Sequence, residues 1–243
     1  MAYRIKLDKI IRSMRQDVEE WLLGVYEAHK DDGGKPSTLP ADLLRAGIAQ
    51  LTLRWTSRFD GAAPDYANSF VSQAAQNVDV SFGASIRKEG FTAQLIKTPE
   101  VKDALSAAIA ENVALIRSIP SQYFTEIEGM VMRSVQMGGD IGALKVELRN
   151  RYGITERRAR LIARDQNEKA TAVITRLRQK EVGVTEAIWH HSHGGKHPRL
   201  SHLKADGKRY NIDKGCWIDG EYIWPGQKIN CRCFSVSIVP GFS

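Results

Sequence analysis

The sequence predicts an α+β fold: a mostly helical N-terminal body followed by a small antiparallel β-sheet C-terminal domain. Three observations predict it. Apolar residues recur at helical spacing from residue 3 to about residue 182. After Gly183 the period changes to two. Asp219-Gly220 then stands between two short apolar arms, the strongest short-range sign of a hairpin.

Residues 3–30 read as the first helix, with Ile5, Ile10, Ile11, Met14, Val18, Trp21, Leu22 and Val25 near one face. The Gly- and Pro-containing stretch 31–36 ends it by removing propensity and hydrogen bonds. Leu39-Pro40 restarts a helix through Leu43, Leu44, Ile48, Leu51, Leu53 and Trp55, and residues 61–64 are expected to break it. Residues 66–96 predict another helix, weakened by Gly83 and Gly90. Thr98-Pro99-Glu100 opens the next, with Thr as N-cap and Pro in the first turn, and it extends to about Arg117. Ser118-Ile119-Pro120 reads as a hinge before a helix over 123–136. Gly138-Gly139-Asp140 separates that from a short helix over 141–151. Gly153 then gives a turn and Thr155 an N-cap. The helix that follows, about 156–181, carries Ala159, Ile162, Ala163, Ala170, Val173 and Leu177 on one side and is closed by Gly183.

Beyond Gly183, residues 186–191 predict a strand, 194–207 an irregular loop, and 208–212 a second strand. Residues 216–223 predict the Asp-Gly hairpin. Pro225-Gly226-Gln227 predicts a turn, and 234–239, with its alternating Phe, Val and Ile, a closing strand.

Composition bounds the function. At 243 residues, 42% hydrophobic and 26% charged, the chain is one large domain or two small ones of ordinary composition. No apolar run reaches membrane-spanning length, and the N-terminus lacks a signal-peptide core, which predicts a protein made and used in the cytoplasm. Three cysteines without a secretory signal argue against a disulfide framework and for reduced thiols or a metal. Charge is uneven: residues 151–243 hold 17 Lys+Arg against 9 Asp+Glu, while residues 1–150 hold 18 against 19. The basic excess in the C-terminal part suits contact with an acidic surface such as nucleic acid. Arg157, Arg158, Arg160, Arg164, Arg176 and Arg178 on the last long helix are the candidate DNA-facing residues. A solvated arginine face on a core helix is the competing reading.

Five of the six histidines and all three cysteines fall within residues 189–233. These residue types are zinc ligands, and Cys216, Cys231, Cys233 and His202 form a candidate metal set. The spacing matches no standard finger. Buried thiols filling a thin sheet core, or a Cys–Cys bridge, fit it as well. His190, His191, His193, His202, Asn211 and Asn230 near hairpin signals invite comparison with ββα-metal nucleases, but no helix signal follows the last hairpin. No local motif surrounds any cysteine as a nucleophile. The Gly-rich stretch 138–142 follows a helix, so it lacks the context of a phosphate loop.

An ordered set of residues carries a family resemblance. Glu111-Asn112 and the stretch to Pro120 lead to Tyr152-Gly153-Ile154-Thr155, then Arg158-Ala159 and Ile162-Ala163-Arg164-Asp165-Gln166. Trp189, His197-Pro198-Arg199, His202, Gly207 and Asn230-Cys231-Arg232-Cys233 follow. The set resembles the phage Mu F-like family of minor head (head morphogenesis) proteins. It implies a variable helical region over 1–104 and a family domain over 105–243, helical to 183 and β-rich beyond. Many members carry Ala-Arg-Thr-Glu where this chain has Ala163-Arg164-Asp165-Gln166, and Asp where it has His197-Pro198. The resemblance therefore implies no acidic catalytic residue at either place.

What the resemblance implies is a non-enzymatic virion protein, a minor capsid protein of a tailed-phage head. It would dock through its helices at the portal vertex inside the head, with other head proteins as partners. Its basic part would contact packaged double-stranded DNA non-specifically and assist packaging or ejection. Trp189, Arg199, His202, Asn230, Cys231, Arg232 and Cys233 form the family cluster, whose expected role is to hold irregular loops on the short sheet. No catalytic residue and no cofactor beyond a candidate structural zinc is expected. The alternative is a metal-dependent nuclease or hydrolase built on the His/Cys cluster.

Overall fold

The computed structural model describes residues 2–29, 40–96, 98–137, 141–195 and 197–239. Four long helices come first: α1 (Ala2–Ala28), α2 (Ala41–Lys88), α3 (Pro99–Gln136) and α4 (Ile141–Glu181). Then follow β1 (Glu186–His190), a short α5 (Leu200–Lys204), β2 (Arg209–Asn211), β3 (Cys216–Ile218), β4 (Glu221–Ile223) and β5 (Phe234–Ile238). The α+β class predicted from periodicity is the one observed.

The helices are longer than the sequence predicts. Three expected breaks, at 61–64, 118–120 and 152–155, lie inside continuous helices. Burial explains this. Phe59, Phe70 and Val71 around Pro64, and Ile116, Ile119 and Tyr123 around Pro120, are almost wholly buried. An interior proline costs a helix about 3 kcal/mol, and burying two or three large apolar side chains offsets that. Thr155 is not an N-cap; its hydroxyl donates back to the Arg151 carbonyl, one turn earlier. The breaks expected at 31–36 and 138–140 lie outside the described residues.

Other end signals hold. The Thr98 hydroxyl accepts the Val101 N–H at the start of α3. Gly183 takes a positive φ of 77° and ends α4 with paired bonds: its N–H to Lys180 O, and the Val184 N–H to Gln179 O. α5 was not foreseen; it occupies part of the stretch expected to be irregular.

By compactness the chain divides into two units, 1–66 with 112–162 and 67–111 with 163–243. The boundary expected near residue 104 falls inside α3. In the first unit, the buried residues include Leu7, Ile11, Met14 and Val18 from α1, Trp55 and Phe59 from α2, Tyr123 and Phe124 from α3, and Leu144 and Leu148 from α4. Its polar links include the Tyr3 hydroxyl to Asn112 at 2.6 Å and the Trp55 indole N–H to Asp17 at 3.1 Å. Gly47 permits one close approach: a Cβ there would lie 2.0 Å from the Trp21 ring.

The second unit contains the β elements. β1 is the central strand of an antiparallel sheet ordered β2-β1-β5, in register Ala187↔Tyr210 and Trp189↔Ser235. β3 and β4 form the expected hairpin, with Asp219 and Gly220 both at positive φ, as a two-residue turn of this type needs. The buried residues Val184, Ala187, Trp189, Ala205, Tyr210, Ile212, Cys216, Ile218, Ile223, Cys231 and Cys233 make one core. In β5 the apolar side chains Phe234 and Val236 are exposed, while Ser235 and Ser237 are half-buried.

Arg178 ties this unit together. It is 1% exposed and pairs with Asp79 of α2 at 2.7 Å and with Glu181 at 2.7 Å. It also donates to the Ile96 carbonyl, while the Ile96 N–H donates to Glu181. Arg178→Met is expected to cost about 2–3 kcal/mol, somewhat below the loss for a fully buried pair because Asp79 keeps some solvent. Chemical denaturation with far-ultraviolet circular dichroism measures this.

Candidate functional site

The C-terminal half of α4 carries a polar stripe: Asp165, Glu168, Ala172, Arg176 and Gln179 recur at steps of three and four, so they share one helix face. Each one touches or lines the β-rich part. Asp165 Oδ1 accepts the backbone N–H of Asn230 at 2.7 Å, and Lys169 pairs with the same carboxylate at 3.3 Å. A Cβ on Gly226 would lie 2.7 Å from the Ala172 Cβ, and Gly226 sits at φ 83°. The Arg176 guanidinium lies over the Trp224 ring, 4.2 Å from its centre. Gln179 Nε2 donates to the Ser235 and Ser237 hydroxyls at 3.0 Å each. Burial raises the pKa of Glu168 and lowers that of Arg176, since both lose water on this face.

Asn230 is at φ 58°, a left-handed conformation that Asn accepts better than most residues. Its loop is held from three directions. Asp165 takes the Asn230 N–H, Arg199 Nη2 donates to the Ile229 carbonyl at 3.0 Å, and the Cys231 N–H donates to the Lys228 carbonyl at 2.9 Å. Arg232 donates to the Gly194 carbonyl. Arg199 and Arg232 therefore bond to backbone oxygens of loops.

The loop delivers Cys231 and Cys233 to His202 of α5. His202 Nδ1 lies 3.4 Å from Cys231 Sγ and 3.7 Å from Cys233 Sγ, and all three donor atoms fall within 4.8 Å of one another. All three side chains are buried. Trp189 packs edge-on against the His202 ring at 5.2 Å. Its Nε1–H is buried without a hydrogen bond of normal geometry, although its nearness holds the Cys233 thiol down slightly. The Cys233 S–H, aided by nearby backbone N–H groups, pulls the Cys231 thiol below the ordinary range. Cys233 in turn is pushed well up by the same partner and by burial. The cluster forms part of the wall of a cavity of about 260 Å³, with His191, His197, Arg199, Asn230 and Arg232 among the other lining residues.

Two sequence expectations need correction. Cys216 does not join the candidate metal set. It lies in β3 opposite Ile223, where burial raises its thiol pKa. The six arginines do not form one DNA-facing surface. Arg178 is buried in its ion pairs, Arg176 is stacked on Trp224, and Arg158 is half-buried with a bond to Ser118. Arg157, Arg160 and Arg164 are exposed, Arg160 being paired with Glu156. His190 also has a contact the sequence did not suggest: it stacks on its cross-strand neighbour Phe234 at 5.4 Å.

The sequence reading did not name Gln179, and it named Asp165 only within the family motif and Gly226 only within a turn. The signal for a shared role of Asp165 and Gln179 was present, since both lie on one α4 face with Ala172. It is a polar stripe, however, and a search for apolar periodicity passes over it.

Residues 125–236 match the model of the family described as Phage Mu protein F like protein, so over that segment the chain is similar to the phage Mu F-like family. The matched segment begins inside α3 and ends inside β5, so it contains α4, the Asn230 loop and the His/Cys cluster. The chain is also 28% identical over 240 residues to a protein of Haemophilus influenzae described as an uncharacterized protein. That match covers 98% of this chain and 52% of the relative, so the chain spans about half the length of the curated relative it matches. No solved structure matches.

Two outcomes test the site geometry. Asp165→Ala leaves the Asn230 N–H without its acceptor and is expected to cost about 1–3 kcal/mol. Asn230→Gly is expected to be nearly neutral and Asn230→Val clearly destabilising, because a β-branched residue resists positive φ. Thermal melts of the three variants measure both. The pKa of Asp206 is lowered, first by the His191 N–H it accepts. A depressed folded pKa means its contribution is complete above the unfolded carboxylate value of about 3.9 and is lost as pH falls through the folded value. The His191 amide resonance is expected to show a step as the pH drops below about 4, where Asp206 takes up its proton. Asp206→Asn is expected to abolish that titration.

Proposed function

We propose that this chain is a non-enzymatic minor capsid protein of a tailed phage, working in head morphogenesis from inside the virion. The single observation that carries this reading is the family match over 125–236, which contains the whole loop-and-cluster assembly. In this reading the long helices dock on the portal or another head protein at the portal vertex. The exposed basic residues of the C-terminal part face packaged DNA and assist packaging or ejection, with assembly taking place in the host cytoplasm.

The charge distribution supports the DNA contact, since the basic excess lies in residues 151–243. Arg157, Arg160 and Arg164 are the arginines of α4 exposed enough to meet phosphate. Arg199 and Arg232 bond to backbone carbonyls, which supports a structural role for the family cluster. No helix among the described residues is long and apolar enough to cross a membrane.

Mass spectrometry of purified particles from a phage carrying this gene tests the reading. The protein is expected in mature particles at a few copies, and deleting its gene is expected to yield defective heads. Particles free of the protein, with normal heads after deletion, would contradict it. In filter-binding assays the purified chain is expected to bind duplex DNA without sequence preference. Replacing Arg157, Arg160 and Arg164 by Glu is expected to weaken binding and flatten its salt dependence by about 0.9 per lost phosphate contact.

A further inference from the structure

We propose that His202 Nδ1, Cys231 Sγ and Cys233 Sγ bind a zinc ion, with the fourth coordination position facing the cavity lined by His191 and His197 and not Cys216. Spacing argues for it first. Zinc–sulfur bonds of about 2.3 Å and zinc–nitrogen bonds of about 2.0–2.1 Å at tetrahedral angles put neighbouring sulfur and nitrogen donors roughly 3.6 Å apart. The observed separations are 3.4 and 3.7 Å. Both sulfurs converge on one ring nitrogen. A metal satisfies all three donors together.

Chemistry selects the ion. Two thiolates and an imidazole suit zinc, whereas calcium and magnesium take oxygen donors. All three cysteines are free and buried. The donors are also positioned by groups that do not ligate: Trp189 against the His202 ring, Asp165 on the Asn230 N–H, and Arg199 on the Ile229 carbonyl. Such outer supports keep ligands in a fixed orientation. An ion here would join α5 to the strand start at Phe234 through a loop that has little regular structure of its own.

Full-length protein purified without chelator is expected to carry equimolar zinc by inductively coupled plasma mass spectrometry. Cobalt(II) is expected to replace it, giving the intense visible bands of tetrahedral coordination and a charge-transfer band whose intensity corresponds to two thiolates. Cys231→Ser, Cys233→Ser and His202→Ala are each expected to weaken metal affinity by more than the roughly 10–100-fold that an outer-shell change costs. Cys216→Ser is expected to keep the stoichiometry and the spectrum. The wild-type cobalt spectrum stands as a test whether or not the ligand variants fold. A wild-type chain that binds neither metal would overturn the proposal, as would a thiolate count of one or three, or loss of metal in Cys216→Ser.

Discussion

The second unit depends on one face of one helix. Between Asp165 and Gln179, α4 presents side chains at steps of three and four, and each meets a different part of the β-rich segment. Asp165 holds the Asn230 loop, Ala172 admits Gly226, Arg176 covers Trp224, and Gln179 holds β5. Arg178, on the neighbouring face, ties the same two turns of helix to α2 and to Ile96. The small sheet has three strands of three to five residues and a core of its own, and packing against the helix adds to its stability. The helix adds specific polar contacts, two of them from Gln179 to β5.

This arrangement explains the burial pattern of β5. An apolar alternation suggests that Phe234, Val236 and Ile238 face a core. Gln179 instead selects the serine face by bonding to Ser235 and Ser237, and Tyr210 also donates to Ser235 at 2.7 Å. Phe234 is left outside, stacked on His190. A strand's alternation shows that it has two faces. Which face turns inward is decided by its partner, and here the partner is a polar residue 56 positions before Ser235.

Much of the fold was legible for a physical reason. Glycine at positive φ, Thr98 ahead of Pro99, and Asp219-Gly220 are local devices, and their chemistry acts within a few residues. The interruptions at Pro64, Pro120 and Gly153 misled because their cost is also local, while the burial that offsets it comes from residues distant in sequence. The site was partly legible. His202, Cys231 and Cys233 stand out by residue type, and they do converge. Cys216 stood out equally but is used as a small apolar filler. Arg178 looked like a surface charge by its position on a basic helix, and only the presence of Asp79 and Glu181 shows it to be internal. Net charge therefore overstates the basic surface: part of the C-terminal excess is consumed inside the fold.

The central claim is that the C-terminal half of α4 and the β-rich segment form one cooperative structure through the polar stripe. Native-state hydrogen exchange tests it most directly, by comparing amides of β1 and β5 with those of α4 between residues 165 and 179. The account predicts that the most protected amides of both groups exchange through a common opening with the same free energy and the same denaturant dependence. Exchange of β1 and β5 through a lower-energy opening, with α4 still protected, would contradict it.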